Sequence, residues 1–118
     1  MRRLFTAFQN SRRALGRAFR TEAALRQELY VLLVATPFAF IITPDPWRRA
    51  ELAGMIILVM AVELLNTAIE KLCDRLHSER HDSIGYVKDL GSAAVLMTIL
   101  LASFMWAVAL WQWLERVL

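Results

Sequence analysis

The sequence has little of several residue types on which common protein sites depend. It contains one cysteine, Cys73, which excludes an internal disulfide and a cysteine-based metal centre. Its four glycines stand singly, so the chain has neither a Walker loop nor the glycine-rich loop of protein kinases. Its two histidines, His77 and His81, lie in a polar stretch that favours a solvated loop over a zinc site.

Apolar residues are what the chain has in excess. Its hydrophobic fraction is 58%. A soluble domain of this size buries too little of its surface to place so many apolar residues in its core. The 25 residues from 90 to 114 carry no charge and are long enough to cross a bilayer core of about 30 Å. Shorter apolar runs precede them. We therefore predict a single all-α membrane domain over residues 1–118, with spans near 29–43, 50–72 and 90–113.

Positive charge is concentrated at the N-terminus. Seven of the fourteen basic residues lie in the first 26 positions, between apolar residues at helical spacing. This pattern predicts an amphipathic helix over residues 1–26 on an anionic membrane surface, not a nucleic-acid partner. The arginines are not followed by the apolar core of a signal peptide. The positive-inside rule predicts a cytosolic N-terminus, a cytosolic loop at 73–89 and a C-terminus on the other side.

A stripe of polar residues begins inside the second predicted span. Glu63, Asn66, Glu70 and Asp74 recur at intervals of three and four, which places them on one narrow face of a helix. A charge at membrane depth costs about 2.5–3.5 kcal/mol on insertion scales and therefore indicates a function. Small residues at 91–94 open the third span and are typical of close helix contacts in lipid.

Two chemistries are consistent with these residues alone. Carboxylates without a histidine or cysteine set suit Mg²⁺, and a lysine beside them, Lys88, suits the handling of phosphate. The same stripe could belong to a small proton-coupled transporter in which Glu63 binds and releases the proton. The residue pattern by itself does not separate the two.

Three motifs carry a resemblance to a known family. They are "EAALRQE" at 22–28, "ELLNTAIEKLCDR" at 63–75 and "SERHDSIGYVKDLGSAAVLM" at 78–97. With these three motifs in this order, the chain closely resembles the prokaryotic diacylglycerol kinase family over essentially its whole length. The resemblance implies a homotrimer in the bacterial inner membrane with a periplasmic C-terminus, three spans and one surface helix in each subunit, and active sites shared between subunits. It also implies phosphorylation of diacylglycerol to phosphatidic acid with ATP and Mg²⁺. A related branch that phosphorylates undecaprenol is the alternative.

The resemblance also assigns roles to individual residues. It implies that Glu63 is the general base and that Glu22 and Glu70 bind the metal. The remaining catalytic positions that it implies are Asn66, Lys88 and Asp89. The nucleotide contacts that it implies are Arg3, Glu22, Glu70, Glu79, Arg80, His81, Lys88 and Asp89. The lipid contacts that it implies are Arg26, Glu28, Arg49, Glu63 and Ser92. In the enteric type of this family, a tyrosine lies near the nucleotide. This chain has Asn10 at the corresponding position.

Overall fold

The computed structural model describes residues 1–76 and 82–118, and these residues form four helices. Helix α1 spans Arg2–Thr21, α2 spans Ala23–Ile42, α3 spans Pro46–Leu76 and α4 spans Asp82–Val117. The last three are long and apolar enough to cross a membrane. The predicted all-α architecture with three candidate spans is thus confirmed, and the homotrimer remains a prediction.

The break between α1 and α2 lies at Glu22. This residue adopts an extended conformation, with φ −107° and ψ 108°. Helix α1 therefore ends at Thr21, before residue 26 where the sequence placed the end of the surface helix. Arg26 lies in the first turn of α2, and its guanidinium donates to the carbonyl oxygens of Phe19 at 3.0 Å and Arg20 at 2.8 Å. These bonds satisfy carbonyls that the end of α1 leaves without helical partners.

A tight turn joins α2 to α3. Asp45 accepts a hydrogen bond from the backbone N–H of Trp47 at 3.0 Å, and Pro46 occupies the first position of α3. An N-cap aspartate followed by proline is a favoured way to begin a helix. At the other side of the turn, Arg49 donates to the carbonyl of Thr43 at 2.9 Å. The two helices are therefore held as an antiparallel pair.

Helix α3 is central, since it packs against both α2 and α4. The buried core contains Ala39, Ile42, Leu52 and Ala109, with three partly buried side chains, Trp106, Leu110 and Trp113, packed against it. The Trp106 indole donates to the Leu52 carbonyl at 3.1 Å and so ties α4 to α3. This core lies near the α2–α3 turn, whereas the polar stripe lies toward the other end of α3.

Most apolar side chains outside this core are exposed within the single chain. In the most apolar 18-residue window of α4, only 11% of the residues are buried. A water-soluble protein would bury such a surface. The exposure is what a membrane helix shows when lipid or another subunit covers it.

Candidate functional site

The polar stripe lies on one helix, as its spacing predicts. Glu63, Asn66, Glu70 and Asp74 all belong to α3. Asn66 is buried, with 7% of its surface exposed, and its Nδ2 donates to Oε1 of Glu70 at 3.2 Å. Residues four apart face each other on a helix. The amide therefore fixes one oxygen of the Glu70 carboxylate.

Glu22 is brought to α3 by the break between α1 and α2. Its carboxylate lies 3.3 Å from the ammonium of Lys71, which follows Glu70 directly in the chain. The Lys71 side chain is 69% exposed, so this ion pair adds little stability. Its importance is geometric, because it holds Glu22 against α3 at the level of Glu70, the other predicted metal ligand.

Glu63 is the electrostatic centre of a group of carboxylates. It is half-buried and lies within electrostatic range of Glu70, Glu22 and Glu28. Oε2 of Glu28 is buried and has no hydrogen-bond partner in the described part of the chain. Carboxylates this close repel one another, and a bound cation would relieve the repulsion. We call these four residues the carboxylate cluster.

Two grooves of different character adjoin the carboxylate cluster. A groove of about 550 Å³ between α1 and α3 includes Glu22 in its lining, together with the polar and basic side chains Asn10, Arg13, Arg17, Thr21, Thr67 and Lys71. A second groove of about 420 Å³ includes Glu28, and the rest of its lining is mostly apolar, with Val31, Ala35, Ile56, Val59, Ile99, Ala102, Ser103 and Trp106. One end of the cluster therefore borders a cationic groove and the other an apolar one.

The predicted residues of α4 lie along its first turns. Lys88 Nζ is bound to Asp74 Oδ1 at 2.7 Å, which links α4 to the last residue of the stripe. Asp89 and Ser92 are exposed. Among the described residues, the structure therefore brings Lys88 to Asp74 and leaves Asp89 and Ser92 exposed.

For three arginines predicted to bind ligands, the structure shows no side-chain hydrogen bond or ion pair with the described residues of the carboxylate cluster. Arg26 is bound to the carbonyls at the end of α1. Arg49 lies at the start of α3, about 20 Å along the helix axis from Glu63 by the rise of 1.5 Å per residue, and is bound to the α2–α3 turn. Arg3 is exposed on α1. The predicted nucleotide contacts Glu79, Arg80 and His81 lie outside the described residues.

The carboxylates fit the predicted Mg²⁺ by their chemistry. Among residues 1–76 and 82–118 there is no group of three or more His, Cys, Asp or Glu side chains arranged to hold a metal ion. Mg²⁺ commonly takes only one or two carboxylates and completes its shell with water and substrate phosphates. Glu22 and Glu70 can supply that pair, next to the cationic groove where phosphates would lie.

Sequence reasoning missed the basic lining of this groove, formed by Arg13, Arg17 and Lys71. For Lys71 a signal was present, since it is the first basic residue on α3 after Arg49 and directly follows Glu70. For Arg13 and Arg17 there was none, because every arginine of an amphipathic surface helix has the same sequence signature. Only the position of α1 beside α3, across the groove, distinguishes the two that line it.

Comparison with known proteins identifies the family. The prokaryotic diacylglycerol kinase family matches residues 9–110. A diacylglycerol kinase of Escherichia coli (strain K12) is 42% identical over 110 residues, which cover 93% of this chain and 90% of that relative. A diacylglycerol kinase of Pseudomonas aeruginosa is 36% identical over 110 residues, which cover 93% of this chain and 89% of that relative. A diacylglycerol kinase of Haemophilus influenzae is 33% identical over 103 residues, which cover 87% of this chain and 87% of that relative. The chain therefore belongs to the prokaryotic diacylglycerol kinase family, a family of enzymes.

Proposed function

We propose that this protein transfers the γ-phosphoryl group of ATP to the hydroxyl group of diacylglycerol, at the cytosolic face of a bacterial inner membrane. The observation that carries the proposal is the carboxylate cluster between a cationic and an apolar groove. A lipid kinase must bring a water-soluble phosphate donor and a membrane-embedded alcohol to one point. The membrane-facing helices and the names of the relatives support diacylglycerol as the alcohol.

In this mechanism Glu63 is the general base. Its carboxylate takes the proton from the lipid hydroxyl as the hydroxyl oxygen attacks the γ-phosphorus, and the bond to the β-phosphate oxygen breaks to release ADP. Glu63 lies half-buried on α3, a helix long and apolar enough to cross a membrane. General-base catalysis of this kind contributes about 10²–10⁴ in rate.

Glu22 and Glu70 would hold Mg²⁺ against the phosphates. The ion supplies charge neutralisation for the transferred group. Asn66 fixes Glu70 through its hydrogen bond. Arg13, Arg17 and Lys71 line the groove beside Glu22 and would add positive charge along the nucleotide phosphates.

The other predicted contacts remain part of the proposal, except that Arg26 and Arg49 are given a structural role in place of a lipid contact. Lys88 and Asp89 would act at the phosphates, and Arg3, Glu79, Arg80 and His81 would contact the nucleotide. Glu28 at the mouth of the apolar groove and Ser92 on α4 would contact the lipid. Arg26 and Arg49 would contribute through the helix ends that they hold rather than through the lipid hydroxyl.

The proposed assembly is a homotrimer with sites shared between subunits. The exposed apolar side chains of α4 and the exposed small residues at 92–94 support a helix contact with another copy. The distribution of basic residues supports a cytosolic N-terminus and a periplasmic C-terminus. In that orientation both the carboxylate cluster and the cationic groove face the cytosolic side, where ATP is present.

The direct test is transfer of label from γ-³²P-ATP to lipid in mixed micelles. The purified protein should label diacylglycerol in the presence of Mg²⁺, and chelation of the metal should stop the transfer. Undecaprenol is offered in a parallel assay, since both alcohols present one hydroxyl on apolar tails. Preferential labelling of undecaprenol would replace the substrate and keep the reaction, whereas no labelling of any lipid alcohol would reject the kinase proposal.

A further inference from the structure

Helix α4 lies directly against the polar stripe of α3 at Gly91. This residue is buried on α4 and faces the side chain of Asn66 on α3. A Cβ atom added at Gly91 would overlap with Oδ1 of Asn66 and lie 3.2 Å from its Cγ. By contrast, a Cβ added at Gly54 would meet no described atom within 4 Å. The missing side chain of Gly91 therefore creates the space that the Asn66 amide occupies.

The Asn66 amide has little freedom to move away. The residue is 7% exposed, and its Nδ2 is already bound to Oε1 of Glu70. Its Oδ1 is buried and has no hydrogen-bond partner in the described part of the chain. Side chains on a helix have few allowed rotamers. A methyl group at position 91 would therefore displace the whole amide and withdraw Nδ2 from Glu70.

We propose that Gly91 is a positioning residue for the metal-binding carboxylate. Its lack of a side chain sets the position of the Asn66 amide, and the amide in turn orients Glu70. This inference rests on the proposed metal role of Glu70. It also gives a partner within the same chain, Asn66, to the close helix contact that the small residues at 91–94 indicated.

The test compares Gly91→Ala with Gly54→Ala in the full-length protein. Alanine has the higher helix propensity, so without a clash both substitutions should leave α3 and α4 intact or strengthen them. Mn²⁺ binding is measured by electron paramagnetic resonance with a saturating non-hydrolysable ATP analogue, alongside thermal unfolding. We expect Gly91→Ala to weaken Mn²⁺ binding about tenfold, as loss of a partner that orients a ligand does, and Gly54→Ala to leave it within about twofold.

A double variant tests whether Gly91 acts through Asn66. Asn66→Ala removes the amide and makes room for the methyl group, so Asn66→Ala with Gly91→Ala should bind Mn²⁺ as weakly as Asn66→Ala alone, and no more weakly. If Gly91→Ala does not fold, recovery of folding in the double variant supports the proposal. Failure of the double variant to fold as well would overturn it, because the obstructed side chain would then not be Asn66.

Glu70→Gln separates this inference from the proposed function. Loss of Mn²⁺ affinity in Glu70→Gln but not in Gly91→Ala would overturn the positioning role alone. Unchanged affinity in Glu70→Gln would overturn the metal role of Glu70 and the positioning role with it. Loss in both, with no further loss when the two substitutions are combined, is the result that the proposal predicts.

Discussion

Glu63 and Glu70 lie two turns apart on α3 and are held in different ways. Glu70 accepts a hydrogen bond from Asn66, which fixes its orientation as a ligand requires. For Glu63 the described residues provide no side-chain hydrogen bond, and its neighbours are other carboxylates. A base must be able to take a proton and turn toward its substrate, whereas a metal ligand must keep its position. The difference between the two environments matches the difference between the two proposed roles.

The metal assignment is tested by Glu22→Gln and Glu70→Gln. Each substitution removes one negative charge and one good oxygen ligand, so the apparent affinity for Mg²⁺ should fall by at least about tenfold. A Mg²⁺ titration of phosphoryl transfer measures it, and higher Mg²⁺ or Mn²⁺ should restore part of the rate. Glu51→Gln is the matched control, since Glu51 is an exposed glutamate near the other end of the same helix. Unchanged metal dependence in both site variants would reject the assignment.

At the scale of the helices, the junction of α1 and α2 sets the position of Glu22 in the candidate site. The extended Glu22 turns the chain there, and Arg26 closes the end of α1 with two hydrogen bonds. This arrangement carries Glu22 to Lys71 and forms one wall of the cationic groove. The position of the metal ligand therefore depends on an arginine whose side chain is bound to the end of α1 and not to a carboxylate of the cluster.

Arg26→Met should lower stability more than it changes lipid binding. Hydrogen bonds from a charged donor stabilise by about 1.5–3 kcal/mol, and partial solvent exposure reduces this to about 1–2 kcal/mol. The unfolding temperature should fall, and KM for diacylglycerol should stay within about twofold. Arg12→Met is the control, because Arg12 is exposed and makes no described side-chain hydrogen bond. A large rise in lipid KM with unchanged unfolding temperature would instead support direct lipid contact by Arg26.

The sequence predicted those features that depend on one helix at a time. The stripe from Glu63 to Asp74 follows from helical spacing, and the bond between Asn66 and Glu70 is an i, i+4 pair. Periodicity alone does not locate the break at Glu22, because the helical pattern continues through it without proline or glycine, whereas the family motif at 22–28 marks this junction. The contact between Gly91 and Asn66 depends on the rotation and offset of two packed helices. Periodicity within either helix does not contain that information.

At the scale of the whole molecule, one chain leaves its own functional groups apart. Lys88 is bound to Asp74 and, among the described residues, forms no ion pair with Glu63 or Glu70, although Glu70 lies within electrostatic range of it. The exposed apolar side chains of α4 leave room for another subunit. These features support a site completed by residues of a second copy.

Subunit exchange tests the shared site. Glu63→Gln and Lys88→Ala should each be inactive, and mixing the two proteins should restore activity, since some mixed trimers then contain one intact site. A mixture of Glu63→Gln with Asn66→Ala is the control and should remain inactive, because both residues lie on α3 and act as one unit. Absence of recovery in the first mixture would place Glu63 and Lys88 in the same chain's site.

The most direct test of the account is substitution of the proposed proton acceptor, Glu63. Glu63→Gln keeps the size of the side chain and removes a half-buried charge, so stability should hold or rise. Binding of ATP and transfer of ³²P to diacylglycerol are measured on the same preparation. We expect nucleotide affinity within about twofold of the unsubstituted protein and a turnover lower by about 10²–10⁴. Transfer within a few-fold of the unsubstituted rate would contradict the account, because the lipid hydroxyl would then lose its proton without Glu63.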